Sequence, residues 1–228
     1  MFYASQIIGI DEKENGTHLH VLIPNEKVRT KILNIREGKS INSEIRIDDN
    51  RTITALQRKK IYATIRDICD YTGDIPEYMK EFFKFDYCSA SGQDYFSLSD
   101  CSVTTARLFI NHIIEFVIKE GIPLSELAIE RTDDISSYLY YCLMYRKCCI
   151  TGTDHADIHH CVGSKVGMGN NRRKISNKGR KLIALNRELH TLVESEGEGE
   201  LFKAYKVYGI EVDDEGLKKL KLSEKDIT

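Results

Sequence analysis

Two histidine-bearing stretches, about thirty residues apart in the C-terminal third, constrain the fold more than any other feature of the sequence. The first reads KCCITGTDHADIHHCVG and carries the adjacent pair His159 and His160. A turn-rich stretch precedes the pair and a glycine follows it, which favours a β-hairpin that points one imidazole at a metal ion and the other at a substrate. The second reads LIALNRELHTLVE and spaces His190 and Glu194 four residues apart, on one face of a helix. The residues expected to face the core here are Leu185, Leu189, Leu192 and Val193.

This order of residues is typical of a site that hydrolyses phosphodiester bonds with the help of a divalent ion. Such an ion, held by two or three protein ligands with open coordination positions, stabilises the charge on the scissile phosphate and on the departing oxygen. A neighbouring imidazole can take the proton from the attacking water. Taken singly, a histidine pair is commonly a surface or core feature, and many amphipathic helices carry His and Glu at this spacing. Together, in this order, they predict a catalytic site.

The charge of the chain is nearly balanced overall but unevenly distributed. The formal net charge is −2, so the total indicates no particular partner. Residues 146–181, however, contain nine lysines and arginines and two aspartates, a local charge of +7. Glutamates in residues 194–200 and the acidic residues 211–215 offset it. The basic segment is either a solvated face or a surface for a polyanion such as a nucleic acid.

Neither membrane insertion nor secretion is indicated by the sequence. No apolar run approaches the ~20 residues that span a bilayer, and no secretory leader pattern opens the chain. The seven cysteines are odd in number, and Cys148 and Cys149 are adjacent, which argues against a secreted disulfide framework. We therefore expect a cytoplasmic protein with reduced thiols and no membrane partner.

The periodicity of the chain predicts an α+β fold in two domains, residues 1–145 and 146–228. All three prolines lie at or before Pro123, and the basic, glycine-punctuated segment begins at Arg146, which places the boundary near residue 145. The predicted strands are residues 2–10 and 18–23, joined as a hairpin through Asn15 and Gly16, and residues 44–47 and 95–98. The predicted helices begin at an N-cap Thr54 and end at Gly73, cover residues 76–85, run from a cap at Asp100 or Ser102 to Gly121, and cover residues 134–145.

The C-terminal part resembles the HNH nucleases of bacteriophages over about residues 147–210. Their pattern comprises a Cys-x-x-Cys turn, DIHH or DLHH, GMGRxRR, and ALCREHHxEAH. The corresponding segments here are residues 148–151, 157–160, 167–173 and 184–194. The resemblance implies a ββα-metal domain and a metal-dependent endonuclease that hydrolyses DNA phosphodiester bonds, in phage recombination, replication or packaging.

The resemblance also implies a role for each polar residue of the pattern. His159 would be a metal ligand, His160 the general base and His190 the second ligand, with Glu194 in place of a third histidine. A carboxylate ligand favours Mg²⁺ or Mn²⁺, with Ni²⁺ or Zn²⁺ as further options. The candidate DNA contacts are Arg172, Arg173, Lys174, Arg180 and Lys181, and guanidinium groups in particular suit phosphate oxygens.

The sequence departs from the family pattern at the positions that would hold a structural zinc ion. The cysteine ligand is kept at Cys148, but Thr151, Asn186 and Leu189 replace the other three ligands. We therefore expect no structural zinc, and packing roles for Cys149 and Cys161. The asparagine of the HNH name has no clear counterpart; Lys181 lies near its position, and Asn177 and Asn186 are possible substitutes.

A second resemblance covers roughly residues 51–123. The stretches RTITALQRKKIYATIRDI and FSLSDCSVTTARLFINHIIEFVIKEGI are similar to the lambda NinB (Orf) recombination-mediator family. This implies binding of single-stranded or branched DNA, contact with a single-strand-binding protein, and a homodimer; the lysines and arginine of the first helix are otherwise a solvated face. The alternative to an endonuclease is then a non-catalytic DNA-binding mediator whose HNH module has decayed, and a structural zinc-binding module is disfavoured by the missing cysteines.

Overall fold

The computed structural model describes residues 5–23, 32, 51–164 and 177–222. Over these ranges the chain forms eight helices and two small sheets, which confirms the predicted α+β class. The strand predicted at residues 44–47 lies outside the described residues.

The N-terminal hairpin consists of β1 (Gln6–Lys13) and β2 (Gly16–Leu22), which pair antiparallel. Gly16, which belongs to the predicted turn, begins β2 with φ +126°, a backbone conformation that L side chains rarely adopt, and it pairs with Lys13. The hairpin is therefore confirmed, although its first strand extends three residues beyond the predicted end.

Five helices follow: α1 (Ala55–Thr72), α2 (Pro76–Ser91), α3 (Val103–Glu120), α4 (Ala128–Arg131) and α5 (Ile135–Met144). Thr54 caps α1 in a capping box with Gln57, and Gly73 ends the helix in the left-handed conformation. Ser102, not Asp100, caps α3 by accepting a hydrogen bond from the backbone of Thr105. Helix α2 is six residues longer than predicted because its first glycine stop is at residue 92.

The strand predicted at residues 95–98 is wrong. These residues form no strand in the structure. Phe96 and Leu98 are nevertheless buried while Tyr95 and Ser97 are exposed. An extended segment that lies over the core therefore reproduces the two-residue alternation without a paired strand beside it.

The C-terminal part is built on a three-stranded antiparallel sheet in the order β3-β4-β5. Its strands are β3 (Asp157–His160), β4 (Lys181–Leu185) and β5 (Ile210–Glu211), and its helices are α6 (Arg187–Glu196), α7 (Gly199–Tyr205) and α8 (Asp214–Lys219). Leu185 and Val193 are buried and Leu189 is half-buried, as predicted for core-facing positions. Leu192 is 37% exposed, so its predicted core position is wrong.

Helix α5 lies between the two parts of the chain. It packs against α3 on one side and against β4 and β5 on the other. The buried Tyr138 hydroxyl donates a hydrogen bond of 2.8 Å to the carbonyl of Cys149, across the predicted boundary. The division into two domains stays a prediction. No helix among the described residues is long and apolar enough to cross a bilayer.

Candidate metal centre

The structure brings the histidines of the two motifs together. His159 lies on β3 opposite Ile183 of β4 and is 2% exposed. Its ring packs edge-to-face on the ring of His190 in α6, with centroids 5.1 Å apart. An imidazole from the strand and one from the helix are thus in contact, although among the described residues the ligand atoms of His159, His190 and Glu194 do not all lie within 4.8 Å of one another.

Carboxylates surround the His190 ring on both sides. Its Nδ1 lies 3.6 Å from Oδ2 of Asp157, and its Nε2 lies 3.7 Å from Oε1 of Glu194. Glu194 is at the rim, because its side chain is 62% exposed. Oδ2 of Asp157 is buried and makes no hydrogen bond, although Nε of Arg187 approaches it to 3.2 Å. A buried oxygen with an unused lone pair is a donor that suits a cation.

Sequence reasoning missed Asp157 as a site residue. It stands two positions before His159, so the two-residue period of a strand puts both side chains on one face of β3. The aspartate at the start of the DIHH motif could therefore have been predicted to lie beside His159.

His160 faces away from His159, because adjacent residues of a strand alternate between the two faces. Asn177 Oδ1 accepts a hydrogen bond of 2.8 Å from His160 Nε2, and Asn177 Nδ2 donates to the carbonyl of Leu222 at 3.0 Å. With Nε2 acting as donor, Nδ1 carries the lone pair that can accept a proton. Asn177, one of the two asparagines considered for the missing position, is therefore the one in contact with His160.

A second missed residue is Glu198, at the start of α7. Its Oε1 lies 3.0 Å from His159 Nε2 and accepts a hydrogen bond of 2.6 Å from the backbone of Val162. The same carboxylate lies near Cys161. Burial, with a smaller contribution from the charge of Glu198, raises the pKa of the Cys161 thiol to about 12. Nothing in the local sequence marks Glu198, because its place depends on how α7 returns to β3.

Hydrogen bonds connect the four positions at which the resemblance implies zinc ligands. The Thr151 amide lies 3.5 Å from Cys148 Sγ, and Asn186 Nδ2 donates to Thr151 Oγ1 at 3.4 Å. Asn186 Oδ1 in turn accepts from the backbone of Leu189 at 2.8 Å and so caps α6. These hydrogen bonds connect the turn at residues 148–151 with the start of α6.

The predicted DNA contacts are described only in part. Arg172, Arg173 and Lys174 lie outside the described residues. Arg180 donates from Nη1 to the carbonyl of Ser164 at 2.6 Å, and Lys181 is exposed on β4. Other basic residues of the segment are also bonded within the protein, as in the contacts Arg146 to the carbonyl of Ala156, Lys147 to Asp154 and Lys178 to Asp214.

A strand with paired histidines, an antiparallel neighbour and a helix that returns a third histidine define the ββα-metal class of protein. The chain belongs to the family described as "Putative HNHc nuclease", whose model matches residues 25–223. This confirms the HNH family and extends the match through the N-terminal helices. The chain matches no curated protein and no solved structure. The likeness to NinB and the phage origin stay predictions.

Proposed function

We propose that this protein is a metal-dependent endonuclease that hydrolyses DNA phosphodiester bonds. The observation that carries the proposal is the contact between His159 and His190, with centroids 5.1 Å apart beneath the sheet. Membership of an HNH nuclease family supports the reaction class. The proposed setting is the cytoplasm, in recombination or replication of phage DNA.

His159 and His190 would hold the ion, with Glu194 as the third ligand at the exposed rim. The donor types suit a divalent cation, since two imidazoles are accompanied by the Glu194 carboxylate at Nε2 of His190, while the buried Oδ2 of Asp157 at Nδ1 would orient the ring. When bound, the ion supplies charge stabilisation at the scissile phosphate and the departing oxygen. Carboxylate ligands favour Mg²⁺ or Mn²⁺ as that ion, over Ni²⁺ or Zn²⁺.

His160 would be the general base. Asn177 holds its Nε2, which leaves Nδ1 to take the proton from the attacking water. Asn177 is in turn held by its hydrogen bond to Leu222, so the imidazole has a fixed direction. This chain thus orients the base through a side-chain amide that precedes β4.

Binding of the DNA would fall to the basic segment, with Lys181 on the sheet and Arg172, Arg173, Lys174 and Arg180 nearby in sequence. A NinB-like N-terminal part that binds single-stranded or branched DNA, as a homodimer or beside a single-strand-binding protein, would raise the local concentration of substrate at the cutting site. Specificity would then be for DNA structure more than for sequence.

Separate substitutions of the two adjacent histidines test the assignment. His160→Ala should lower cleavage of nicked, branched or single-stranded DNA by about 10²- to 10⁴-fold and leave Mn²⁺ affinity in calorimetry unchanged. His159→Ala and His190→Ala should weaken Mn²⁺ binding, with cleavage partly recovered at high Mn²⁺. His18→Ala, on the exposed hairpin, is the matched control. Cleavage by His160→Ala at the wild-type rate would contradict the proposal.

The alternative is a non-catalytic mediator that binds single-stranded DNA through a decayed HNH module. Thr151, Asn186 and Leu189 support this alternative, because the resemblance implies zinc ligands at these three positions and none of the three side chains is a good zinc ligand. It predicts DNA binding with no cutting in any divalent ion on any of these substrates.

A further inference from the structure

A second set of metal-binding atoms lies on the same face of β3. Cys161 directly follows the strand and still donates its backbone N–H to the carbonyl of Lys181, so the two-residue period continues and aligns its side chain with that of His159; Glu198 lies beside them at the start of α7. One donor atom from each of these residues lies within 4.8 Å of the other two. Among the described residues, this is the group of three His, Cys, Asp or Glu side chains that meets such a criterion.

The chemistry of this set differs from that of the proposed catalytic set. It combines an imidazole, a thiol and a carboxylate, whereas the proposed catalytic set of His159, His190 and Glu194 contains no sulfur ligand. A thiolate is a soft ligand that selects ions of the zinc type and is a poor partner for Mg²⁺. The three side chains are also enclosed, with His159 and Cys161 buried and Glu198 14% exposed.

We infer that His159, Cys161 and Glu198 form a binding site for a soft divalent ion of the zinc class. The site shares His159 with the catalytic ion, and this sharing rests on the proposed function. A fourth position would be left for water or another donor, as is common for zinc bound by three protein ligands.

The distances require small adjustments. Tetrahedral zinc with bonds of about 2.0–2.2 Å to nitrogen and oxygen separates the two ligand atoms by ~3.4 Å, and the contact between His159 Nε2 and Glu198 Oε1 is 3.0 Å. The Val162 amide already holds Oε1 at 2.6 Å, so the carboxylate is fixed before an ion arrives. Cys161 Sγ lies within 4.8 Å of both atoms, whereas a zinc–sulfur bond of about 2.3 Å separates the sulfur from them by ~3.6 Å, so Cys161 closes any remaining gap.

The backbone beside the sulfur is fitted to it. A Cβ built at Gly209 would lie 2.3 Å from Cys161 Sγ, so a glycine is needed for this approach. Binding of the ion would displace the thiol proton to solvent, because a coordinating thiol is deprotonated even where burial otherwise keeps it neutral. Zinc binding at this site is therefore accompanied by proton release.

One consequence is competition between two ions. Nε2 of His159, which faces Glu198, binds a single ion at a time, so a soft ion held there by Cys161 and Glu198 competes with a catalytic ion that uses the same nitrogen. Zinc should therefore inhibit cleavage supported by Mn²⁺, and the inhibition should depend on Cys161 and Glu198.

Cobalt is the direct probe of the site in the full-length protein. Titration of the wild type with Co²⁺ should produce the thiolate-to-cobalt charge-transfer absorption, and Cys161→Ser should abolish it. Cys88→Ser, a half-buried cysteine of α2, is the matched control and should keep the band. Glu198→Gln should lower Zn²⁺ affinity in calorimetry by at least ~10-fold, whereas Glu200→Gln, exposed on the same helix, should not.

Zinc inhibition, expressed relative to the zinc-free rate of each variant, should be weaker in Cys161→Ser and Glu198→Gln. Absence of a thiolate band in the wild type, or its survival in Cys161→Ser, overturns the site. If Cys161→Ser folds poorly, Glu198→Gln provides the test instead. An unchanged zinc affinity of Glu198→Gln would also overturn the proposed site. A band in a protein without nuclease activity keeps this site and rejects the proposed function; cleavage without a band does the reverse.

Discussion

The hydrogen bond from His160 to Asn177 gives a residue-level prediction. Asn177→Ala removes the acceptor at Nε2, so the imidazole loses its fixed direction and its assigned tautomer. Single-turnover cleavage at saturating Mn²⁺ should fall on the order of 10-fold, with unchanged Mn²⁺ affinity. Asn177→Asp, which keeps an acceptor oxygen, should be closer to wild type. Equal rates for wild type and Asn177→Ala would remove Asn177 from the site.

Glu194 allows a test of which ion is preferred. Its exposed carboxylate lies 3.7 Å from His190 Nε2, at the position where the resemblance implies a histidine. Glu194→His should preserve cleavage and shift the preference towards softer ions such as Ni²⁺ or Zn²⁺. The measurement is the ratio of rates in Mn²⁺ and Ni²⁺, and Glu196→His on the same exposed helix is the control. A ratio unmoved by Glu194→His would show that Glu194 is not a ligand.

The site residues differ in how far sequence could predict them. His159, His160 and His190 are marked by motif spacing, because a strand pair and a helix fix their places locally. Asp157 could have been found from the period of the strand. Glu198 could not, since its contact with His159 depends on the turn after α6 and the packing of α7, which no local pattern encodes.

At the scale of secondary structure elements, the four positions at which the resemblance implies zinc ligands give a third prediction. Hydrogen bonds from Asn186 to Thr151 and from Leu189 to Asn186 already connect the turn to α6. The wild type should therefore stay folded after treatment with a chelator, as measured by circular dichroism, although loss of an ion from the proposed sites at His159 lowers its melting temperature. A chelator-induced loss of folding would mean that a structural metal is present after all.

Restoring the ligands is the converse experiment. The triple variant Thr151→Cys, Asn186→Cys and Leu189→His supplies three donors around Cys148, whose sulfur already lies 3.5 Å from the Thr151 amide. This variant should acquire zinc-dependent stability, measured as a rise in melting temperature on zinc addition. The same triple variant with the additional change Cys148→Ala should show a smaller rise in melting temperature on zinc addition.

Helix starts were predicted more accurately than strands. Thr54 and Ser102 cap their helices through side-chain oxygens, as predicted, because such a cap depends only on neighbouring residues. The strand prediction at residues 95–98 was wrong because alternation of apolar and polar residues indicates burial on one side and not the presence of a pairing strand. The core position predicted for Leu192 was wrong because the buried face of α6 is narrower than its pattern of leucines suggested.

At the scale of the whole molecule, the contact of α5 with β4 predicts that both parts of the chain unfold together. Tyr138→Phe leaves the buried carbonyl of Cys149 without its 2.8 Å hydrogen bond, at a cost of about 1–3 kcal/mol in the free energy of unfolding. Urea unfolding should shift accordingly, and amide hydrogen exchange should accelerate in both α3 and β4. Tyr78→Phe, 62% exposed, is the control. Accelerated amide exchange in only one of α3 and β4 would instead support two domains that unfold independently.

The uneven charge of the chain gives the last prediction, on how the whole molecule meets DNA. Each phosphate neutralised by a lysine or arginine releases condensed counterion, so the logarithm of affinity should fall linearly with the logarithm of salt concentration. Arg172→Ala with Arg173→Ala removes two charges from the segment of charge +7, and should reduce the slope by about 1.4 on single-stranded DNA or 1.8 on duplex DNA. Lys13→Ala with Lys218→Ala removes the same net charge from exposed positions outside both that segment and residues 51–123, and should leave the slope unchanged. Fluorescence anisotropy across a salt series distinguishes the two pairs. A slope that falls equally in both would show that total charge governs binding, and a slope unmoved by the arginine pair would place the DNA on the N-terminal helices.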